Sequence, residues 1–424
     1  MTRSYARLRR GAAAAAAAGL LAVTVPVAAA RPETVPTPSV SASSAPSAPV
    51  VSLASPASPA SSASPSEEFP PLTPAVARQL DRAVRQVMGD ARVPGVTVGL
   101  WVPGKGSYVR AFGVADKSSG APMSTGLNMR VGSVTKTFTV TALLTLVDQG
   151  KVGLDDPIGK YVKGVPDGDR ITLRELAGMR SGLFNYSMDP DFFKALTSDP
   201  QRPFTPQELL DHSFKHPLQF QPGDKFEYSN TNAILLGLVV EKASGRPLAD
   251  YLERNVFEPA GMHHTFLPRT AAFPAPHAQG YTDQTASGRT ENATHWNPSW
   301  AWAAGGAISD QRDLRTWARV LATGTLLSPA TQAERLRTVP SDLPDTGYGL
   351  GIFDVHGWVG HNGSLPGYES LVVYMPETKA TLVVLLNTDT DYRGSEPSTL
   401  FGEAITRVVT PQHVYTLPAQ PAGR

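Results

Sequence analysis

The chain has 424 residues, and its 38 lysines and arginines nearly balance its 37 aspartates and glutamates. This balance argues against a nucleic-acid-binding protein, which normally carries a basic excess. Cysteine is absent, which excludes disulfides, thiolate zinc sites and cysteine nucleophiles. A chain of this length can instead bury a large hydrophobic core.

The N-terminal segment has the composition of a secretory signal peptide. Several arginines precede an apolar run, Gly11–Val27, and Ala28–Ala30 supplies an A-x-A cleavage pattern. We therefore expect residues 1–30 to be removed and the protein to be secreted. The alternative is a retained N-terminal membrane anchor, because the run is nearly long enough to span a bilayer.

The next segment, 31–71, repeats Ser, Ala and Pro and contains few large apolar residues. Such a composition cannot form a core, so it predicts a disordered and semi-extended linker. We expect one folded body over residues 72–412 and a short C-terminal tail over 413–424.

The folded body begins with a helix and a β-hairpin. Thr73 and Pro74 form a helix start, and apolar residues then recur at helical spacing up to Gly89. Two runs rich in β-branched and aromatic residues follow, Gly95–Val102 and Tyr108–Ala115, separated by P-G-K-G. This pattern predicts two strands joined by a turn.

A largely apolar helix is predicted from Ser133 to the residue before Gly150. The stretch from about 154 to 298 contains capping boxes and helical runs but few strand signals. We therefore expect a helical domain inserted at this point.

The last quarter of the body returns to strands. Four β-branched or alternating segments are bounded by turns, and a final helix is expected at about Ser398–Val409. The predicted strand segments are Tyr348–Val355, Gly357–Gly360, Ser370–Met375 and Thr381–Leu386. The element order predicts an α/β fold whose antiparallel sheet is assembled from both chain ends.

Three common catalytic or binding motifs are excluded by inspection. No serine lies in G-x-S-x-G, and H-E-x-x-H does not occur. A phosphate-loop imitation at Gly99–Lys105 continues with Gly106 where Ser or Thr would bind Mg²⁺. We expect neither a metal nor a cofactor.

Ser133-Val-Thr-Lys136 is the only S-x-x-K in the chain. Residues i and i+3 share a helix face, so the hydroxyl and the amine can meet. The helix start also offers free N–H groups to an oxyanion, and a buried lysine can lose its proton and act as a base. Taken alone, the motif is also compatible with the polar first turn of an ordinary helix.

Two further motifs have similarly open interpretations. Tyr228-Ser-Asn230 combines a proton-relaying phenol with an amide that can hold a lysine or a substrate, although a capped surface loop would look the same. His361-Asn362-Gly363-Ser364 suits a strand along which substrate lies, although H-N-G-S is also a frequent turn composition.

In their chain order, S-x-x-K, Y-x-N and H-x-G resemble the motifs of the serine β-lactamase and penicillin-binding superfamily. The likeness is closest to class C β-lactamases and to the D-alanyl-D-alanine carboxypeptidases that actinomycetes secrete, and it spans Leu72 to about Val409. It implies a five-stranded antiparallel sheet flanked by helices, with an inserted all-helical domain and the active site between them.

The resemblance implies a role for each motif residue of the first two motifs. Ser133 would be the acylated nucleophile, and Lys136 would activate it. Tyr228 would relay a proton to the leaving group, and Asn230 would contact the lysine and the substrate amide.

The third motif and one aromatic residue complete the implied site. His361 and Gly363 would lie on the strand beside the substrate, and the backbone N–H groups of Ser133 and Ser364 would form the oxyanion hole. Trp300 matches an aromatic that lines the cleft in the carboxypeptidases, or else it is a core aromatic.

Two positions depart from the family pattern. Asn362 replaces a threonine whose hydroxyl holds the substrate carboxylate, and no arginine follows Gly351, where the carboxypeptidases carry one. Arg180 and Lys225 are candidates to compensate.

We expect an exported serine hydrolase that forms an acyl-serine intermediate, acts as a D-alanyl-D-alanine carboxypeptidase and is acylated by penicillins. Alternatives with the same intermediate are a β-lactamase, an esterase and a D-aminopeptidase. A non-catalytic binding protein that has kept the fold is a more distant alternative. The expected partners are a small peptide, β-lactam or ester substrate and cell-wall peptidoglycan, for a monomeric protein.

Overall fold

A computed structural model describes residues 69–417. The predicted signal peptide, and the linker up to residue 68, lie outside the described residues. Within the described part of the chain, no helix is both long and apolar enough to cross a membrane.

The described part of the chain contains twelve α-helices, several short 3₁₀ turns and one π-helical turn between the seventh and eighth helices. The α-helices are α1 Pro74–Asp90, α2 Val134–Asp148, α3 Leu173–Ala177, α4 Pro190–Ser198, α5 Pro206–Phe214, α6 Asn230–Ser244, α7 Leu248–Leu252, α8 Glu258–Ala260, α9 Trp302–Gly305, α10 Gln311–Thr323, α11 Pro329–Leu336 and α12 Pro397–Val409.

The same residues contain twelve strands, of which eight form the main sheet. The strands are β1 Gly95–Val102, β2 Gly106–Gly113, β3 Met129–Arg130, β4 Tyr281–Thr282, β5 Glu291–Asn292, β6 Ile308–Ser309, β7 Val339–Pro340, β8 Thr346–Tyr348, β9 Phe353–Val355, β10 Trp358–Leu365, β11 Tyr368–Met375 and β12 Ala380–Leu386.

Helix starts follow the capping signals of the sequence. Thr73 Oγ1 accepts a hydrogen bond from Val76 N, and Pro74 occupies the first turn of α1. The capping boxes that begin at Thr172 and Thr205 are both formed. Because a cap satisfies backbone N–H groups that the helix itself leaves unpaired, these residues determine where each helix starts.

The main sheet is antiparallel, with the strand order β2-β1-β12-β11-β10-β9-β8-β7. β1 pairs with β12, so strands from the two ends of the body lie side by side, as predicted. The sheet has eight strands rather than the five that the resemblance implied. Five strands are long, and the additional β7, β8 and β9 have only two or three residues and extend one edge.

One predicted strand is in fact two. The sequence pattern predicted a continuous strand over Tyr348–Val355, but β8 ends at Tyr348 and β9 begins at Phe353. Gly351 between them has a φ of 71°, a left-handed conformation that favours glycine and lets the chain reverse. The turn contains apolar residues, so hydrophobicity alone does not reveal it.

Helices cover both faces of the sheet. Leu382, Val384 and Leu386 of β12 are buried in one core with residues of α1 and α12. Val383 and Leu385 are buried in a second core with residues of α2 and α10. Successive side chains of a strand face opposite sides, so the two cores lie on opposite faces of the sheet.

Packed residues extend beyond the predicted limits of the body. Phe69 and Tyr415 are both buried in the same core as Leu80 and Phe401. The described chain between 154 and 298 is largely helical, with the short β4–β5 pair, and its separation as an inserted domain stays a prediction.

Helix α2 positions the candidate site. Every residue from Val134 to Leu146 is buried, as expected for a helix that packs on all sides. Lys136 is therefore enclosed in the first turn, and Ser133 lies just before it.

Candidate active site

The three sequence motifs meet in one cleft of about 390 Å³. Ser133, Tyr228 and Asn230 line it together with the β10 segment His361–Ser364. These residues come from the start of α2, the start of α6 and a late strand. Convergence of nucleophile, base and polar groups in a concave site is what a composite active site requires.

The proposed nucleophile and base are in direct contact. Lys136 Nζ lies 2.9 Å from Ser133 Oγ and 2.8 Å from the carbonyl oxygen of Ala304. The i, i+3 spacing places the hydroxyl and the amine on one face of the first helical turn. The carbonyl of Ala304 fixes the amine beside the hydroxyl.

Burial determines the protonation of Lys136. The side chain is fully buried, and this burial lowers its pKa well below the usual 10.5. Removal from water disfavours the ammonium form. A neutral amine has a lone pair that can take the proton of Ser133 during attack on a carbonyl carbon.

Tyr228 faces the same pair. Lys136 Nζ lies 4.8 Å from the centroid of the Tyr228 ring. Burial raises the pKa of Tyr228, and Ser133 lowers it by a smaller amount. The Tyr228 hydroxyl makes no hydrogen bond of normal geometry with any of the described residues. The side chain is therefore a protonated phenol whose hydroxyl is available to donate to a leaving group.

Strand β10 passes close to the start of α2. A side-chain carbon on Gly363 would lie 2.2 Å from Val131 O and 2.8 Å from Ser133 N, and one on Gly132 would lie 2.7 Å from Ser364 N. Only glycine permits these approaches. They bring the N–H groups of Ser133 and Ser364 to the same end of the cleft, as an oxyanion hole requires.

His361 is uncharged at neutral pH. It is buried, with Nδ1 2.5 Å from Asn362 O and Nε2 3.4 Å from the Tyr348 hydroxyl. Burial lowers its pKa to about 3, and the nearby Lys136 contributes to the shift. His361 therefore lies where the motif predicted but brings no positive charge to the cleft.

Asn230 lines the cleft, but its hydrogen bonds go to residues other than the lysine. Its Nδ2 donates to Ser187 Oγ at 3.0 Å, and its backbone N–H donates to Asn185 Oδ1 at 3.1 Å. The hydrogen-bond partners of Lys136 are Ser133 and Ala304 instead. A contact between Asn230 and the substrate amide stays a prediction.

Trp300 lies apart from the residues that line the cleft. Its ring centroid is 6.0 Å from that of Phe192, and its carbonyl oxygen accepts a hydrogen bond from the Tyr186 hydroxyl at 2.6 Å. The structure places it at the edge of the core beside these aromatics. Its role in lining the substrate site stays a prediction.

Sequence reasoning missed two groups of the site. One is the carbonyl of Ala304, a backbone group that leaves no side-chain pattern in the sequence. The other is Glu396, which lines the cleft and accepts a hydrogen bond from Asn362 Nδ2 at 2.7 Å. Because Glu396 precedes Pro397, its sequence position is typical of a helix start and does not indicate a residue of the cleft.

Neither of the two candidate cations for a substrate carboxylate lines the cleft of Ser133. Arg180 and Lys225 line an adjoining cavity of about 1090 Å³ that also reaches Tyr228. The Arg180 guanidinium donates to Gly223 O, and Lys225 Nζ lies 2.9 Å from Glu227 Oε2. Both already have protein partners.

Among the described residues, one group combines metal-ligating side chains at short range, namely His264, Asp310 and Asp313. Asp310 caps α10 by accepting from Asp313 N, and Asp313 Oδ2 accepts from His264 N and Thr265 Oγ1. Through these hydrogen bonds, both carboxylates stabilise the start of α10 and the segment that packs against it.

Comparison with known proteins agrees with this geometry. The Beta-lactamase family model matches residues 80–400. A D-stereospecific amidohydrolase from Streptomyces sp. has a similar structure, with a TM-score of 0.70 and 30% identity over 79% of this chain and 98% of that one.

Two curated relatives are also similar. Penicillin-binding protein 4* of Bacillus subtilis is 25% identical over 75% of this chain and 72% of its own length. A putative D-alanyl-D-alanine carboxypeptidase of Escherichia coli O157:H7 is 31% identical over 46% of this chain and 48% of its own length. The latter match therefore spans only about half of each protein.

The resemblance seen in the motifs is thus confirmed over most of the described chain. A mixed α/β fold with an antiparallel sheet, a serine paired with a buried lysine and a family match that covers 80–400 all agree. The chain belongs to the beta-lactamase family and is a serine hydrolase.

Proposed function

We propose that the protein is an exported acyl-serine hydrolase that cleaves amide bonds at the carbonyl of a D-amino acid, including D-alanyl-D-alanine peptides. The observation that carries the proposal is the 2.9 Å contact between Lys136 Nζ and Ser133 Oγ, in a cleft that Tyr228 and the Ser364 segment of β10 complete. The relatives named as a D-stereospecific amidohydrolase and a carboxypeptidase support the D-configuration.

The geometry supports the following path for acylation. Ser133 Oγ attacks the carbonyl carbon while its proton passes to Lys136 Nζ, and the N–H groups of Ser133 and Ser364 hold the oxyanion. As the C–N bond breaks, Tyr228 donates its proton to the leaving amine and regains one from the Lys136 ammonium. Water then hydrolyses the acyl-serine by the reverse proton path.

The leading substrate class is the D-alanyl-D-alanine peptide, and the acyl-serine pathway would also accept a β-lactam, whose opened ring stays attached to Ser133. A second candidate is an amidase of D-amino acid amides. It is favoured by one observation, because the described residues that line the cleft include no lysine or arginine for a terminal carboxylate.

The test combines labelling with turnover. Purified protein is treated with a fluorescent penicillin, and hydrolysis of a D-alanyl-D-alanine peptide, a D-amino acid amide, a cephalosporin and a short-chain ester is measured. We expect a label on Ser133 and release of an amine from a D-configured substrate. Fast ester cleavage with no hydrolysis of a D-configured amide would contradict the proposal.

The control is Ser133→Ala. It removes only the nucleophile, and we expect it to abolish both the label and the turnover. Unchanged hydrolysis in this variant would instead favour a non-catalytic role for the cleft.

Export and a cell-wall location are part of the proposal. Residues 1–30 have signal-peptide composition, and the Ser/Ala/Pro segment could serve as a spacer within wall polymer. Mass spectrometry of the protein recovered from culture medium and from membranes distinguishes a cleaved secreted form from an anchored one.

A further inference from the structure

An acidic side chain lies at the third-motif side of the cleft. Glu396 immediately precedes α12 and lines the cleft with Ser133 and Asn362. Its Oε2 accepts the 2.7 Å hydrogen bond from Asn362 Nδ2. Burial raises the pKa of Tyr228, and the nearby Glu396 contributes to the shift.

A second carboxyl group lies behind Glu396. Glu369 on β11 is buried, and its Oε2 accepts a hydrogen bond from Ser398 N at 2.7 Å. Burial raises the pKa of Glu369 well above its usual value, and Glu396 contributes to the shift. Burial also raises the pKa of Glu396, whereas the bond from Asn362 lowers it. The pKa of Glu369 is raised by more than that of Glu396, so Glu369 is the first of the two to hold a proton. Glu396, whose Oε2 accepts from Asn362, is then the carboxyl group that carries the negative charge.

Glu396 is an acid on the cleft wall, and the described residues that line the cleft include no lysine or arginine. Burial lowers the pKa of Lys136 well below its usual value and lowers that of His361 to about 3, so burial disfavours a positive charge on either group. A substrate carboxylate that enters beside Glu396 would therefore meet a like charge, which is unfavourable in a partly buried site.

We infer that Glu396 sets a preference within the proposed substrates, by making leaving groups that carry a free carboxylate poorer than those that end in a carboxamide or an amine. The inference rests on the proposed acyl-serine function. D-alanyl-D-alanine peptides remain substrates, but peptides whose C-terminal group is amidated or cationic react faster, and Asn362 holds the Glu396 carboxylate in place for this preference.

Two dipeptides that differ only in the terminal group provide the test, D-alanyl-D-alanine and D-alanyl-D-alaninamide. Release of D-alanine or D-alaninamide is followed by chiral chromatography. For the native protein we expect kcat/KM to be about tenfold or more higher for the amide, because a single unfavourable charge contact is worth at least that factor.

The variant Glu396→Gln removes the charge and keeps an oxygen that can accept the Asn362 bond. We expect the preference for the amide to shrink about tenfold, mainly through a lower KM for the free acid. Glu403→Gln is the matched control, because Glu403 lies on α12, the helix that Glu396 precedes, and pairs with Arg407 outside the residues that line the cleft. It should leave the preference unchanged.

A second test of the inference uses the native protein and varies the salt concentration. High salt screens charge repulsion, so the ratio of the two kcat/KM values should fall as sodium chloride increases. Equal or better use of the free acid by the native protein, or an unchanged ratio in Glu396→Gln, would overturn the inference.

The outcomes separate this inference from the function on which it rests. Suppose that penicillin labels Ser133 but the protein either shows no preference for the amide or hydrolyses neither dipeptide. The role of Glu396 is then overturned, whereas the acyl-serine chemistry is kept. Absence of both labelling and turnover overturns the proposed function itself.

Discussion

At the scale of residues, burial rather than ion pairing determines the charge of the side chains in the site. Lys136 and His361 are both fully buried, and burial lowers the pKa of each. The same effect raises the pKa of Tyr228. Desolvation therefore leaves a neutral amine beside Ser133 and a neutral phenol opposite it, which are the forms needed to take and to give a proton.

We predict that acylation by penicillin depends on the neutral form of Lys136. Because its pKa is lowered, the fraction of neutral amine rises with pH and is already high well below pH 10.5. The acylation rate should thus increase with pH and reach a plateau below 10.5. Lys136→Met should lower the rate by about 10²- to 10⁴-fold, which is the usual contribution of a general base.

Stopped-flow measurement of penicillin labelling across a pH series checks this prediction. Lys163→Met is the control, because Lys163 is exposed and donates only to the carbonyl of Gly159. An acylation rate that Lys136→Met leaves unchanged would remove the lysine from the mechanism.

At the scale of elements, the site is the junction of β10 with the start of α2. Gly363 and Gly132 have no side chains, and this lets the strand lie against the helix start. If Ser133 N–H and Ser364 N–H form the oxyanion hole as proposed, the two glycines are part of the catalytic geometry, since these donors belong to the two elements that they bring together.

We predict that Gly363→Ala separates these elements. The added carbon would lie 2.2 Å from Val131 O, so β10 must shift, at a cost of about 1–3 kcal/mol in unfolding free energy. Acylation should fall by about 10² or more, as for loss of an oxyanion donor. Urea unfolding and penicillin labelling measure the two effects.

Gly126→Ala is the matched control for this substitution. A side-chain carbon at Gly126 meets nothing within 4 Å, so neither stability nor acylation should change appreciably. Normal acylation of Gly363→Ala would show that the separation of β10 from α2 is not critical.

At the scale of the whole molecule, the sheet connects chain segments that are far apart in sequence. β1 pairs with β12 across nearly the whole folded body, and α1 and α12 share a core with both strands. Neither half of the chain can complete this sheet alone. We therefore expect the sheet and the cleft to be lost together on unfolding.

Leu382→Ala tests this cooperativity. Leu382 is fully buried in β12, and its truncation should lower the unfolding free energy by about 2–5 kcal/mol. Circular dichroism and penicillin labelling, both followed against urea, should show coincident transitions that shift together. Leu336→Ala is the control, because Leu336 is 39% exposed. Separate transitions would instead indicate independently folding units.

Much of the fold was predictable from local sequence. A helix start depends on residues that are neighbours in the sequence, as do the caps at Thr73 and Thr205 and the apolar run of α2. These features are therefore visible in the sequence. The break between β8 and β9 was not predictable, because a left-handed Gly351 within an apolar stretch resembles a continuous strand. The edge strand β7 was missed because its two residues are too few to show an alternating pattern.

The sequence by itself determined which residues are candidates for the chemistry, because Ser133 and Lys136 are tied by helical spacing and the three motifs occur in family order. The tertiary structure alone decided what those residues can do. Protonation depends on burial, and burial of Lys136 and His361 arises from distant segments that pack around them. The place of Glu396 beside Asn362 likewise depends on α12 packing against the sheet, a contact between segments that no local pattern reports.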